Sequence, residues 1–524
     1  MYKLFYNGKI NSLTSNKPYA TAILTLKDRI VYVGDIDDIN LPEAKVDKID
    51  LSGKYVFPGF IDCHSHIAAL ALGKERIRLD DCRSLAQALD RIRTDLTYFK
   101  SGSWVKGSGW NANIWSDGEP HKDLLDKISS RHAIVLYSKD GHAQWLNSLA
   151  LKRCQFTDST PDPKGGKLNR NSQGELTGII MEKACTLVDQ FAEHVTYENL
   201  KRCLDRTYPE LYACGITSVH SCEDYTIFKI FQRLNVNEEL NLRICMHPPV
   251  AERDQLVEAG LFSGNGNEWL RLGGLKYFVD GSLGSQSAEM FEPYEILNHR
   301  GIEVTGGQEL MDQVCQATTK GLSATIHAIG DKANHKALNA IEKAKRVKSP
   351  VPLRHRIEHC QILNKADIPR FKNLDIIASM QPIHIADDIM VADRYLGDRA
   401  AMAYPIGSLK RAGCRVVFGS DMPVADPDPI KGILAAMCRK YKLEKKRPIW
   451  FPEQCIESND ALQAYTRDAA FASYEENLKG TLEPGKLADF IVVSHNIDIS
   501  DEQLLRKARV ERTILGGQIV FDRD

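Results

Sequence analysis

No run in this sequence is apolar for long enough to cross a bilayer, which takes about 18 or more consecutive apolar residues, so no membrane partner is expected. The opening segment, Met1 to Gly8, has no cationic stretch leading into an apolar one, so no secretory leader is expected either. Neither sign of charge is in excess. Sixty-eight basic side chains face 69 acidic ones, for a net charge of -1, which argues against binding nucleic acid through a broad basic face. The 13 cysteines are odd in number, scattered and without a close CxxC pair. A disulfide scaffold is therefore not expected, and a reducing address, the cytoplasm, is. No glycine-rich phosphate loop follows the first buried strand, which removes the main support for an open dinucleotide-binding sheet and for a nucleotide cofactor.

What is present is a chain of 524 residues with 43% hydrophobic and 26% charged side chains, the proportions of a globular protein. Its length suits about two to four domains. Both ends read as short strands. Tyr2 to Tyr6 leads into an Asn7-Gly8 turn, and Ala20 to Leu26 and Ile30 to Val33 flank Lys27-Asp28-Arg29. Near the other end, Ala488 to Val493 is apolar and β-branched, and Arg512 to Leu515 meets Gly516-Gly517 before Gln518 to Phe521. Each end alone has too few strands to be stable, so residues 1–56 and 478–524 are expected to form one composite β-sandwich.

Residues 57–477 read as alternating strands and helices. The strand candidates are Val56 to Cys63, Gly215 to His220, Leu240 to Met246, Leu275 to Val279, Ser323 to His327, Arg354 to His359, Ile376 to Gln381 and Arg415 to Gly419. Ala337, Ala340, Ile341 and Ala344 recur at helical spacing between the fifth and sixth, and another helix, Glu309 to Lys320, precedes the fifth. This α/β pattern predicts parallel strands closing into a (β/α)8 TIM barrel. One interval breaks the rhythm: about 150 residues separate the first strand from the second, where one helix needs far fewer. Residues 74–200 are expected to be an inserted subdomain over the barrel mouth, with a strand at Ala133 to Tyr137, a turn at Asp140-Gly141, and four tryptophans, Trp104, Trp110, Trp115 and Trp145.

Polar residues follow the apolar runs at the strand ends, where such a barrel carries its chemistry. His64 and His66 are two apart and face one way on an extended chain, an arrangement that suits a divalent metal but is also met on ordinary surface strands. His327, His359 and Asp421 close three further strands. Four histidines and an aspartate converging on one face are costly to bury without a partner, which favours a metal. Lys276 lies inside the apolar fourth strand. Its amine either takes up carbon dioxide as a carbamate that bridges metals, or stays an ammonium paired with Asp280. Spacing alone prefers the ion pair.

Read in order, Pro58-Gly59-Phe60-Ile61-Asp62-Cys63-His64-Ser65-His66 with His327, His359 and Asp421 resembles the amidohydrolase superfamily of metal-dependent hydrolases. Gly480 to Phe490 is similar to the segment by which these proteins re-enter their terminal sandwich. Gly109-Trp110-Asn111 with Trp115, Asp140-Gly141-His142, Gly215 to His220, Lys276 with Asp280 to Ser285, His327 to Asp331, Ile357 to His359 and Gly419 to Asp421 resemble the branch that includes N-substituted formamide deformylase (amidohydrolase family 3). Gln286 departs from that branch, where arginine is expected. The resemblance implies one metal on His64, His66 and Asp421, a second on His327 and His359, and a carboxylated Lys276 bridging them. Other members hold a single metal. Zinc is the first choice for imidazole-rich ligands.

The implied reaction is hydrolysis of a non-peptide, amide-like C–N bond in a small molecule, with Asp421 carrying a proton from water to the leaving nitrogen. A lactone or phosphoester hydrolase on the same site, or a scaffold without catalysis, are the alternatives. Trp110, Trp115, His142, His220, Asp280 and His384 are expected to shape the substrate pocket, with His142 bonding the carbonyl oxygen or the leaving group. Ordinary core packing is the competing reading for the tryptophans. Glu358, Cys63 and Cys360 are expected to point away from the pocket, Glu358 as an orienting group or an ion pair. A homodimer is the default assembly.

Overall fold

The computed structural model describes residues 1–15, 18–138, 143–163, 166–182, 184–189, 191, 195–440 and 448–523. The chain divides into two compact units, Met1–Leu70 with Leu204–Asp524, and Ala71–Cys203, the latter slightly wider than the expected 74–200.

In the first unit the two chain ends share their sheets. A four-stranded sheet holds Arg29–Gly34, Ala22–Leu26, Tyr2–Tyr6 and Val46–Asp50 in that order. A six-stranded sheet runs Gln518–Asp522, Val510–Leu515, Phe490–Val493, Tyr55–Pro58, Lys9–Asn11 and Tyr19–Ala20. The ends meet where Phe490–Val493 pairs antiparallel with Tyr55–Pro58, Phe490 opposite Pro58 and Val493 opposite Tyr55. Phe5 and Ile23 of one sheet share an apolar cluster with Val56, Phe490, Val492 and Ile514 of the other. That common core is what neither end could build alone.

The central strands are parallel and follow chain order in two sheets. Phe60–Ser65, Ile216–Ser221, Arg243–Met246 and Leu270–Leu272 form one. Leu275–Phe278, Ala324–Ala328, Arg356–His359, Ile377–Met380 and Val416–Phe418 form the other. Helices intervene, among them Tyr225–Val236, Gly307–Thr319 and Asp331–Ala344, which makes the unit α/β. At one edge of the two sheets the Asp421 N–H donates to the His64 carbonyl at 2.7 Å and the His66 N–H to the Met422 carbonyl at 2.8 Å; at the other the Lys276 N–H donates to the Pro248 carbonyl at 2.8 Å.

One expected strand is broken in the structure, at a glycine. Val56 to Cys63 was expected as one strand, but the chain changes sheet at Gly59: its N–H donates to Asp489 at 3.0 Å, and that of Phe60 donates to Gly215 at 3.0 Å. A Cβ at Gly59 would lie 2.4 Å from Thr217 Oγ1, so only glycine lets the strands approach there. The expected fourth strand, Leu275 to Val279, is present as Leu275–Phe278; a further strand, Leu270–Leu272, precedes it across Gly273-Gly274, where a Cβ on Gly273 would meet the His247 ring at 2.3 Å.

The second unit is built on a mixed six-stranded sheet in the order Gly166–Arg170, Leu176–Glu182, Ala143–Leu146, Ala133–Ser138, Trp104–Trp110 and Ile77–Arg78. Strand alternation divides its core. Ile134 and Leu136 join Trp110, Trp115 and Trp145 on one face, and Ala133 and Val135 join Leu146, Leu168 and Ile180 on the other. The turn expected at Asp140-Gly141 lies outside the described residues. Among the described residues no helix is long and apolar enough to cross a membrane.

One buried ion pair ties the terminal strands to the central ones. Arg243 Nε and Nη2 reach the two Asp489 oxygens at 2.6 and 3.0 Å, and Asp489 Oδ1 also accepts the Gly516 N–H at 2.8 Å. Removing one member leaves the other charge buried and unanswered, which costs about 3–5 kcal/mol. Asp489→Ala is therefore expected to lower the urea midpoint of unfolding by an amount equivalent to about 3–5 kcal/mol, followed by tryptophan fluorescence.

Candidate metal centre

The ends of the central strands carry the polar residues together. In Phe60–Ser65, Asp62 and His64 alternate with Ile61 and Cys63, which pack outward with Ile377, Val417 and Ala469. His64 therefore faces inward, and Cys63 faces away as expected. His64 Nε2 and His66 Nε2 lie 3.5 and 3.3 Å from Asp421 Oδ1. One ligand atom from each of these three residues falls within 4.8 Å of the others, a group able to hold a metal ion. The His359 ring centre is 4.8 Å from that of His64 and 4.5 Å from that of His327. Lys276 Nζ is 3.4 Å from His64 Nε2. Residues spread from position 64 to 421 thus meet in one place.

Every one of the four imidazoles is tied back through one nitrogen. His64 Nδ1 meets Glu358 Oε2 at 2.5 Å and His66 Nδ1 meets the Cys222 carbonyl at 2.8 Å. His327 Nε2 meets the Gly281 carbonyl at 3.0 Å, and His359 Nδ1 meets Gln381 Oε1 at 2.8 Å. All four partners accept, so the tied nitrogen carries the proton; the second nitrogens of His64 and His66 face Asp421, and that of His64 also meets Lys276.

The protonation states suit the same task. Burial, reinforced by Lys276, pushes the His64 imidazole below its ordinary value and His327 down to about 4. His359 is lowered by burial and by the neighbouring His327. Burial acts downward on His66 as well, but the hydrogen bond and charge of Asp421 outweigh it and the net shift is upward. For Asp421, burial would raise the carboxyl, yet His64 and His66 hold it far below the usual carboxylate range. Imidazoles held towards the neutral form, as His64, His327 and His359 are, and an ionised carboxylate such as Asp421 are the forms that ligate a divalent cation; His66 would give up its proton to a metal.

Two of the clustered residues sit in strained backbone. His359 has φ +73° and Asp421 φ +61°. Such conformations cost non-glycine residues about 1–3 kcal/mol and gather at functional sites.

Several sequence expectations change here. Glu358 was expected on the far face of its strand, but it points inward to His64. The left-handed turn at His359 swings that ring back over the side its neighbour already occupies, so both face the cluster. Asp280 is not the partner of Lys276. Its carboxylate accepts the N–H groups of Glu289, Ile329 and Gly330 at 2.8, 3.0 and 2.8 Å, and its Oδ1 lies 3.6 Å from His327 Nε2. The Lys276 amine instead lies against His64 and 5.2 Å from the Phe278 ring centre. His220 is fully buried, with Nδ1 accepting from Arg356 Nη1 at 2.8 Å.

Trp110 and Trp115 are core residues of the second unit. Their indole N–H groups donate to the Leu136 and Cys82 carbonyls at 2.8 and 3.3 Å, which is the packing reading. His384 stands beside the eighth strand end, its Nε2 3.0 Å from the Ser420 carbonyl. His142 lies outside the described residues. Sequence reasoning missed Arg356 and Gln381. Arg356 gave a signal of the same kind as Lys276, a cation inside an apolar strand; Gln381 ends the seventh strand run but carries no distinguishing mark.

A sequence model of the amidohydrolase family matches residues 47–521. The chain is 33% identical to Protein LONG AFTER FAR-RED 3 of Arabidopsis thaliana, over 99% of this chain and 91% of that protein. It is 25% identical to N-substituted formamide deformylase of Arthrobacter pascens, over 99% and 98% of the two chains. A solved structure, described as an uncharacterized metal-dependent hydrolase from Pyrococcus horikoshii OT3, matches with a TM-score of 0.82 at 27% identity, covering 96% of this chain and 99% of that one.

The hydrogen bond behind His64 gives a direct test. Glu358→Gln keeps the shape but replaces the carboxylate acceptor, and is expected to weaken binding of zinc about 10–100-fold, measured by competition with a chelator.

Proposed function

We propose, for a chain that belongs to the amidohydrolase family, metal-dependent hydrolysis of a non-peptide, amide-like C–N bond in a small molecule at the His64, His66, Lys276, His327, His359 and Asp421 cluster. The observation that carries the reading is the set of four imidazoles, each tied back through one nitrogen, with the second nitrogens of His64 and His66 turned to the Asp421 carboxylate. Core histidines gain nothing from that uniformity; metal ligands require it. We also read the two parallel sheets as one (β/α)8 barrel, supported by the strand order and by the hydrogen bonds at both of their edges.

His64, His66 and Asp421 would hold one divalent ion, and His327 and His359 a second. Imidazole-rich donors favour zinc. Lys276 Nζ lies 3.4 Å from His64 Nε2, its charge bears on His327 and His359, and Asp280 accepts backbone N–H groups; this supports a carboxylated amine that would serve as a shared ligand. A bound divalent cation supplies acidity to water, lowering its pKa towards about 7, and draws electron density from a carbonyl oxygen.

The protein's own groups do the rest. His64 is sealed, with 1% of its side chain exposed, whereas 30% of His66 is open, so substrate approaches from the His66 side. Asp421 is ionised at neutral pH and stands between His64 and His66. It accepts a proton as water adds to the carbonyl carbon and returns it to the departing nitrogen. The bond of His384 Nε2 to the Ser420 carbonyl, next to Asp421, supports a part for His384 in substrate contact. The name of the Arthrobacter relative, a deformylase of substituted formamides, supports the amide-like bond as first choice.

Zinc-loaded protein is expected to turn over members of a panel of N-formyl amines and cyclic amides. Activity confined to lactones or phosphoesters would replace the amide assignment, and a zinc-loaded protein inert to every class would remove the hydrolase reading. Asp421→Asn is expected to lower kcat by about 10²–10⁴-fold with its fold retained. A metal-loaded Asn variant of full activity would take Asp421 out of the proton path.

A further inference from the structure

We propose that Arg356 is a positioning residue for the metal centre: it locks the Glu358 carboxylate and so fixes the aim of the His64 imidazole. The inference rests on the metal-dependent reading above and deepens it.

Arg356 lies within Arg356–His359 and is 1% exposed. Its guanidinium grips Glu358 through both ends of the fork, Nε on Oε1 and Nη2 on Oε2, the latter at 3.1 Å. The remaining donors spread across the strands. Nη2 also reaches the Cys63 carbonyl and, at 2.8 Å, Ser379 Oγ, while Nη1 donates to His220 Nδ1 at 2.8 Å. One side chain thereby joins the first, second, sixth and seventh central strands.

Among the hydrogen bonds of Arg356, the one to the Cys63 carbonyl holds the backbone just before His64, whereas those to Glu358 lead on to the His64 ring itself. Glu358 is wholly buried, and its Oε2 takes both an Arg356 N–H and the His64 Nδ1 proton. A carboxylate held at two points cannot rotate about its own bond, so the imidazole it anchors cannot swing either. A planar fork is needed for this. A lysine ammonium in the same place keeps the charge but offers no pair of parallel donors. The role is one of geometry: Arg356 touches none of the clustered imidazoles directly, and it acts on His64 through Glu358.

The test uses the full chain with cobalt(II) as probe, read by chelator competition and by the visible absorption of the bound ion. Arg356→Lys is expected to weaken cobalt binding about 10–100-fold and to change the visible spectrum. In a Glu358→Gln background the same substitution is expected to add nothing further, because the path is already cut. A folded Arg356→Lys protein with parental affinity and spectrum overturns the inference. So do losses that simply add in the double variant, which mark Arg356 as a strand tie with no bearing on His64. Should Arg356→Lys fail to fold, Ser379→Ala removes one contact of the guanidinium; a smaller loss of affinity, absent in the Glu358→Gln background, is expected, and no loss overturns the inference. A parent protein that takes up no cobalt overturns the metal reading itself, whereas uptake that the variants leave unchanged overturns only the role of Arg356.

Discussion

A charge can stay inside a protein only if something answers it, and this constraint shapes the interior of the central strands. Arg356 and Glu358 answer each other and, through Glu358, reach His64. Further along the same interior, Lys479 sits 2.8 Å from Glu475 and 2.7 Å from Ser218 Oγ, and Arg271 approaches Glu475 at 3.6 Å. Asp62 accepts the backbone N–H groups of His64 and Ser420 at 3.1 and 3.0 Å. A purely aliphatic filling would be simpler to stabilise. The polar filling does what an aliphatic one cannot: it fixes the directions in which the strand-end side chains point.

That division explains what the sequence made legible. Strand positions came through because an apolar run must be buried wherever it lies, so Ile377–Met380 falls within its expected segment and Ala324–Ala328 passes the end of its own by one residue. The clustered residues came through for the converse reason: His64, His327, His359 and Asp421 each interrupt or end such a run. Side-chain direction did not come through where the backbone leaves the regular strand. Strict alternation sends Glu358 and His359 to opposite faces, and only the φ of +73° at His359 brings both to one side. No residue type announces that angle.

Partners distant in sequence were equally hidden. Spacing made Asp280 the natural counter-ion for Lys276, four residues away, but the N–H groups that claim its carboxylate come from residues 289, 329 and 330. Gln381 and the Cys222 and Gly281 carbonyls carry no chemical mark in the sequence, yet they decide which nitrogen of each imidazole holds its proton. The tryptophans show the opposite limit. Pocket wall and core packing were both open for Trp110 and Trp115, and strand alternation sends Trp110 and Trp145 into the core of that unit, with Trp115 packed against them.

The pairing of Tyr55–Pro58 with Phe490–Val493 has a consequence for how the chain is made. During synthesis the first of these strands emerges from the ribosome long before the second exists. At about 5–20 residues per second, its edge waits on the order of tens of seconds for the strand that will cover it. An uncovered edge is a template for misassembly with other nascent chains. The arrangement that lets both termini share one sheet therefore makes the newborn polypeptide dependent on protection until its last strands arrive.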